Sequence, residues 1–431
     1  MKFPIFLTNR LKEHIMNSFF RLADSLSAQV KPVHQEMRMA FETIKFEDIA
    51  FSHLQQLVEN GVSESRTLEY KSAMYKRNDA GRKEALKDLT AFANSDGGHL
   101  IIGIEEKKDG SLEFSGGIDG AEADREIQWL ESLLRDSVEP RLIGYRIKSI
   151  SLPGGGAALV IHIPRSWMKP HRTNSKNYYV RNSKCVHEAS VSELRTLFLS
   201  SQSETDRIRR FVEDRIGALA TGNGIMPLSA SNLVALHIVP VLSFLENERI
   251  DLRLLKENYS KFPTIASSAR TCRPNLDGIC ILDDPNEPSK TYTEIFRNWS
   301  IEAVLSDIVG NVNGESGCIT PRIVQKIVKL LGNYEQAFID LGVQYPLAIF
   351  VTMIGVKGAK LTLPVDEYDN ALSPPIRRDI LTLPETILDQ PPESEARGPL
   401  RLKGTLDALW NAAGEIECPW FDGNGNWKPP H

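Results

Sequence analysis

Residues 64–106 read ESRTLEYKSAMYKRNDAGRKEALKDLTAFANSDGGHLIIGIEE. Three different local patterns follow one another here. Arg66–Ser72 alternates apolar and charged residues, with Leu68 and Tyr70 on one side and Glu69 and Lys71 on the other, so it reads as a strand. A polar loop at 73–81 leads to a helix over 82–94, whose Leu86, Leu89, Thr90, Phe92 and Ala93 face inward. Ser95-Asp96-Gly97-Gly98 supplies a turn, since glycine tolerates positive φ. His99–Glu106 is then an apolar strand that ends in Glu105 and Glu106, and Asp109-Gly110 marks a hairpin after it. The stretch thus sets acids at both ends of a buried sheet segment. Glu64 and Glu69 are an odd number of residues apart, so on one strand they would face opposite ways. They converge only if Glu64 lies on the turn before the strand.

Outward from this stretch, 1–44 reads as an amphipathic helical extension, with Ile15, Phe19, Leu22, Leu26 and Val30 in its stripe and Pro32 ending it. It suits an arm that packs on the body or on a second copy, giving a homo-oligomer through the N-terminal helices; a natural start at Met37 or Met39 is the alternative. Residues 45–61 predict a helix buried through Phe46, Ile49, Leu54, Leu57 and Val58, with Gly61 as its C-cap. A helix over 122–139, strands over 145–150, 157–163 and 177–181, and a helix over 190–199 complete a first lobe. A charged helix at 206–219 opens the second, followed by strands at 234–241, 278–283, 292–296 and 347–354, a helix at 321–341, and a loop-like tail at 373–400. A faint echo, an Arg-Asn pair closing a strand at 181–182 and again at 297–298, raises a two-lobed repeat about a groove. The expected class is α+β, mixed sheets flanked by helices in two lobes: the extension at 1–44, a domain at 45–200, and an α/β domain at 201–431.

Composition limits the function. Fifty-one basic against 56 acidic residues give a formal charge of -5, which excludes coating nucleic acid by bulk charge but not a local basic groove. Five scattered cysteines without a CxxC pair fit a reducing compartment and no zinc ribbon. No apolar run approaches the ~20 residues of a membrane span, and the opening lacks a signal-peptide pattern, so the expectation is cytoplasmic with no membrane partner.

Glu64 and Glu69 read either as solvated surface paired with Lys71 or as hard oxygen donors for Mg²⁺ or Mn²⁺, with Lys71 on the face of Glu69. Only one of Glu105 and Glu106 can join them. Asn94, Asp96, Gly97 and Gly98 read as a tight turn before a phosphate cradle, because the order helix–turn–strand inverts that of a P-loop and leaves ATP weak support. The segment Arg165–Lys184, with Lys169, His171, Arg172, Lys176 and Arg181 interleaved with Trp167, Tyr178 and Tyr179, is the best basic-aromatic candidate for unpaired nucleic acid. A solvated loop over core tyrosines explains it as well. His162, His187 and His237 suit core or edge packing, no Gly-x-Ser-x-Gly elbow occurs, and the terminal FDGNGNW reads as a turn.

Taken together, ESRTLEYK, AFANSDGGHLIIGI and PHRTNSKNYYVRNSKCVHEAS resemble the AlbA-like domain of Schlafen proteins, often labelled a divergent AAA or ATP-binding domain, over roughly 46–200. The resemblance implies a metal-dependent endoribonuclease acting on structured RNA such as tRNA, with a stress or antiviral role. It implies Glu64, Glu69 and Glu106 as carboxylates holding the ion, with Lys71 assisting; Glu106 stands where the family usually has aspartate. The alternative is a non-catalytic nucleic-acid-binding or nucleotide-responsive regulator, and a third is a scaffold for a partner's activity. No clear helix-turn-helix follows the domain.

Overall fold

A computed structural model describes residues 41–429 apart from 43, 45, 184, 246–248, 285–287, 313, 365–369, 393 and 395–397. The expected helical extension and its oligomeric contact therefore lie almost wholly outside the described residues. The chain divides into two compact units, Met1–Leu199 and Ser200–His431.

In the first unit, helix α1 (Phe51–Glu59) precedes strand β1 (Leu68–Lys71), helix α2 (Asp79–Asn94) and strand β2 (Gly97–Ile102). A hairpin of β3 (Ile104–Glu106) and β4 (Leu112–Phe114) and helix α3 (Ala123–Ser137) follow. After β5 (Val138–Glu139) come β6 (Arg146–Ser151), β7 (Ala157–Pro164), β8 (Arg172–Thr173), β9 (Tyr179–Arg181) and β10 (Val186–Glu188). The central sheet has the order β1-β2-β7-β6, with only the β1–β2 pair parallel. Alternation along its strands feeds two cores. Leu100, Ile102, Leu159 and Ile161 pack against Leu86, Leu89 and Phe92 of α2 and Leu130 and Leu134 of α3. Leu68, Tyr70, Ile101 and Val160 pack against Phe46, Leu54 and Leu57 on the other face. Burying both faces is what holds a strand pair as short as β1–β2 in register.

Three expectations shift. The predicted helix at 45–61 is a 3₁₀ turn at Phe46–Asp48 and then α1, with its predicted apolar stripe kept. Helix α2 starts earlier than predicted, because Asn78 caps it by accepting from the Gly81 N–H at 2.9 Å. The strand predicted over 99–106 breaks at Gly103, whose φ of 108 only glycine adopts readily, so Glu105 and Glu106 move onto the hairpin.

The two helices predicted at 190–199 and 206–219 are one, α4 (Val191–Ala220). In the second unit, β11 (Leu233–Pro240), β12 (Thr271–Pro274), β13 (Gly278–Leu282), β14 (Thr291–Phe296), β15 (Ile301–Ser306) and β16 (Leu347–Ile354) belong to an eight-stranded sheet. The tail expected as loop adds two short strands, Ile380–Thr382 and Thr386–Leu388, to β16. Every pairing in this sheet is antiparallel. Its order differs from that of the first unit, so the suggested repeat has no topological basis. A helix at Arg322–Leu341 covers one face through Val324, Ile327, Leu331 and Phe338.

Candidate functional site

The carboxylates that sequence placed together are divided among three positions. Glu64 lies on the loop before β1, as convergence required, but it turns to the open edge of the sheet. Its Oε1 accepts the Tyr70 backbone N–H at 3.0 Å, satisfying a donor that no neighbouring strand reaches. Glu69 points to the opposite side, toward α2. There Arg181 donates from Nη1 to Glu69 Oε2 at 2.7 Å and from Nη2 to the Ser65 carbonyl at 2.9 Å. Both side chains are nearly excluded from water, at 12% and 6% exposure. Phe92 lies under the guanidinium, 3.9 Å from ring centroid to Cζ. Glu106 sits on the hairpin beyond Gly103, within the field of Glu64.

Lys71 is on the Glu69 face, as its spacing demands, and reaches three carboxylates: Asp88 at 3.1 Å, Glu84 at 3.2 Å and Glu69 at 3.5 Å. Glu84 and Asp88 are one helical turn apart on α2, and the sequence reading passed over both. Their i,i+4 spacing was the signal available. Asp88 is buried and also accepts from the Tyr75 hydroxyl at 2.9 Å. Burial costs the Lys71 ammonium hydration, but Asp88 and Glu69 outweigh that and raise its pKa. Burial and then Glu69 push the Asp88 carboxyl up against the pull of Lys71. Glu64 is also raised, by loss of hydration and by Glu106, although the Tyr70 N–H and the Lys71 charge oppose this. Four carboxyls (Glu64, Glu69, Glu84 and Asp88) thus lie in the field of Lys71, two of them (Glu64 and Glu69) also in that of Arg181, and Glu106 acts on this group through Glu64.

This donor set is chemically right for a hard divalent ion, yet the geometry does not gather it. Among the described residues no group of three His, Cys, Asp or Glu side chains is placed to hold a metal ion. Arg181 and Lys71 occupy the oxygens of Glu69, and the bend at Gly103 carries Glu106 out of the line of β2. The trio Glu64, Glu69 and Glu106 does not fit the ion in this arrangement.

The remaining motif residues fasten segments together. Asn94 is buried; its Nδ2 donates to the carbonyls of His171 and Tyr179, each at 2.9 Å, and its Oδ1 accepts the His171 N–H at 2.6 Å. Gly98 runs so close to β1 that a Cβ would meet the Thr67 carbonyl oxygen at 2.1 Å, at a φ of 143. The Gly-Gly pair therefore seats β2 beside β1, in keeping with a structural turn.

The basic-aromatic segment is corrected in part. His171 is fully buried, its ring between the Pro140 carbonyl at 2.7 Å and Ser166 Oγ at 2.6 Å, and burial lowers its pKa to about 4. Lys169 and Arg181 are buried too. None of these three is presented to a phosphate. Lys176 is exposed on a turn at φ 65, and Arg172 is part-exposed, held by Glu139 at 2.5 Å in a surface pair. Four further cations, Lys76 and Arg77 of the polar loop and Arg82 and Lys83 in the first turn of the predicted helix, are exposed just beyond Lys71.

Residues 64–190 match the family model described as Schlafen, AlbA_2, so this segment is a Schlafen-type AlbA_2 domain. Among solved structures, a protein from Corynebacterium diphtheriae matches with 13% identity over 37% of this chain and 31% of its own, at a TM-score of 0.25. The N-terminal domain of a RecG-related protein from Nitrosomonas europaea matches with 21% identity over 32% of this chain and 90% of its own, at a TM-score of 0.24. Neither likeness is close enough to bear on function. The chain covers under a third of the Corynebacterium protein. No curated protein matches it. No helix among the described residues is long and apolar enough to cross a membrane.

Proposed function

We propose that the Schlafen AlbA_2 domain of this chain binds nucleic acid, RNA in particular, through exposed cations beside its acidic cluster. The observation that carries this reading is the exposed run Lys76, Arg77, Arg82 and Lys83 inside the matched segment. Phosphates are repelled by the carboxyls of Glu69, Glu84 and Asp88 around Lys71, so the backbone would track the basic loop and the start of α2. Lys176 and Arg172 extend the contact, since an exposed pair such as Arg172–Glu139 is weak enough to exchange for phosphate.

Metal-dependent cleavage of structured RNA such as tRNA is a second reading, favoured by the mutual field of Glu64 and Glu106. With Glu69 held by Arg181, no catalytic step follows from the present geometry. The test is fluorescence anisotropy with labelled tRNA and single-stranded DNA over a salt series. Joint K76A/R82A/K83A replacement should weaken binding to all sequences and flatten the salt slope by about 0.7 per lost contact on single strands. Unchanged affinity would sink the binding reading. Gel analysis of the same tRNA with Mn²⁺ or EDTA separates the two: metal-dependent products promote cleavage, and binding without products leaves a recognition domain. A response to ATP alone would indicate nucleotide sensing.

A further inference from the structure

A row of buried polar side chains crosses the second unit's sheet. His237 of β11 lies opposite Glu302 of β15, Glu302 opposite Glu294 of β14, and Glu294 opposite Cys280 of β13. Opposed residues share a face, so the four stand side by side. His237, Glu294 and Glu302 are fully buried and Cys280 nearly so.

The two carboxyls have different surroundings. Glu302 is saturated. Arg215, from the C-terminal half of α4, donates from Nε at 2.9 Å and Nη2 at 2.8 Å; Tyr292 donates its hydroxyl at 2.7 Å; His237 Nε2 lies at 3.0 Å. Burial alone would raise its pKa, but His237 and Arg215 prevail and hold it ionised. Glu294 is bonded by Asn275 Nδ2, at 3.0 and 2.9 Å to its two oxygens. The other groups facing it are Glu302, Asp277 on the β12–β13 turn, the Cys280 thiol and the more distant Arg215. Arg273 of β12 stands opposite Cys280 at the exposed margin. Arg215 is the guanidinium whose field reaches these two buried carboxyls, and the Glu302 carboxylate takes it bidentately. Burial and then Glu302 push Glu294 up to about 8, against the Asn275 donor.

We propose that Glu294 is a proton-held latch: while its carboxyl is neutral, Glu302 grips Arg215 and keeps the C-terminal half of α4 on the sheet, and losing that proton loosens the grip. The helix half concerned buries Val212 and Leu219 and carries Phe211 against Phe244 and Phe296. A second negative charge beside Glu302 competes for Arg215. The opened state, in which water reaches both acids, then gains over the closed one as pH rises.

Amide hydrogen exchange across 208–220 in the full chain tests this, from about pH 6.5 to about 9.5, after correction for the intrinsic exchange rate. The opening equilibrium should rise by about tenfold per pH unit while the closed state still holds the Glu294 proton and the open state does not, and should level off above about 8, where both states have lost it. Glu294→Gln keeps an acceptor for Asn275 but carries no titrating proton, so its profile should stay flat. Asn275→Ala removes the donor that favours the ionised form and should move this transition, the levelling-off of the rise, to higher pH. A flat wild-type profile, an unchanged rise in the Gln variant, or an unmoved or lowered transition in Asn275→Ala would each overturn the latch. Should the Gln variant fail to fold, the wild-type profile and Asn275→Ala still decide.

Discussion

Glu69 is the residue on which the two functional readings meet, and its ion pair with Arg181 can be measured directly. Both partners are nearly excluded from water, so removing one strands the other's charge. Arg181→Met keeps length and contact with Phe92 but leaves Glu69 with Lys71 alone and the Ser65 carbonyl without its donor. The expected loss is about 3 to 5 kcal/mol. Glu69→Gln leaves a buried guanidinium short of an anion and should cost about 2 kcal/mol. The double variant removes both charges together. Its loss should fall short of the sum by about 2 kcal/mol, which is the coupling between them. Urea unfolding by circular dichroism, with hydrogen exchange of the β1 and β9 amides as the local readout, gives the four values. A coupling below about 0.5 kcal/mol would refute the argument that this pair fastens the ESRTLEYK segment to the YYVRN strand. The result also governs any cleavage assay. If Glu69→Gln is destabilised as expected, lost activity in that variant is not evidence for a metal ligand, and Glu64→Gln becomes the informative substitution.

Other outcomes follow from the same packing. Asn94→Ala orphans the His171 N–H and two carbonyls in the interior and should cost about 3 kcal/mol in urea unfolding, whereas a change under 1 would contradict the clamp. Gly98→Ala drives a Cβ into the Thr67 carbonyl and should lower soluble yield or melting temperature, with Gly110→Ala, open to solvent, as the control for positive φ alone. Buried His99 and half-buried His162 meet with ring centroids 4.7 Å apart and planes tilted by 43°. Burial first, then the Arg146 charge, lowers His99 to about 4, and burial with the charge of His99 lowers His162 well below 6.5. Because the folded form resists protonation, their contribution is complete above the unfolded value of 6.5 and declines as pH falls through about 4. Stability at pH 5 should lie about 2 kcal/mol below that at pH 7 from His99 alone, and His99→Phe should reduce the difference. An equal pH response in that variant would remove the assignment.

Local chemistry made much of the first unit legible. Alternation along 68–71 set Glu69 and Lys71 on one face, and Leu68 and Tyr70 on the other, because a strand has no other way to place its side chains. The Asn-Ser-Asp-Gly-Gly turn declared itself through glycine, and the α+β class through the mix of helical and alternating periods. Long-range pairing was not legible. Nothing near Glu69 announces that a guanidinium over a hundred residues away will take its oxygens, nor that Asp88 will reach back to Lys71. His171 and Lys169 looked like surface cations because burial depends on what folds over them. The break at Gly103 followed the same logic, since an apolar run says where a strand runs but not where a neighbouring chain forces it to turn. By itself the sequence determined which residues are acids, that Glu69 and Lys71 share a face of β1, and what family the segment resembles. Only the tertiary structure decided which acids share a cation, because electrostatic partners are chosen by distance in space and by access to water.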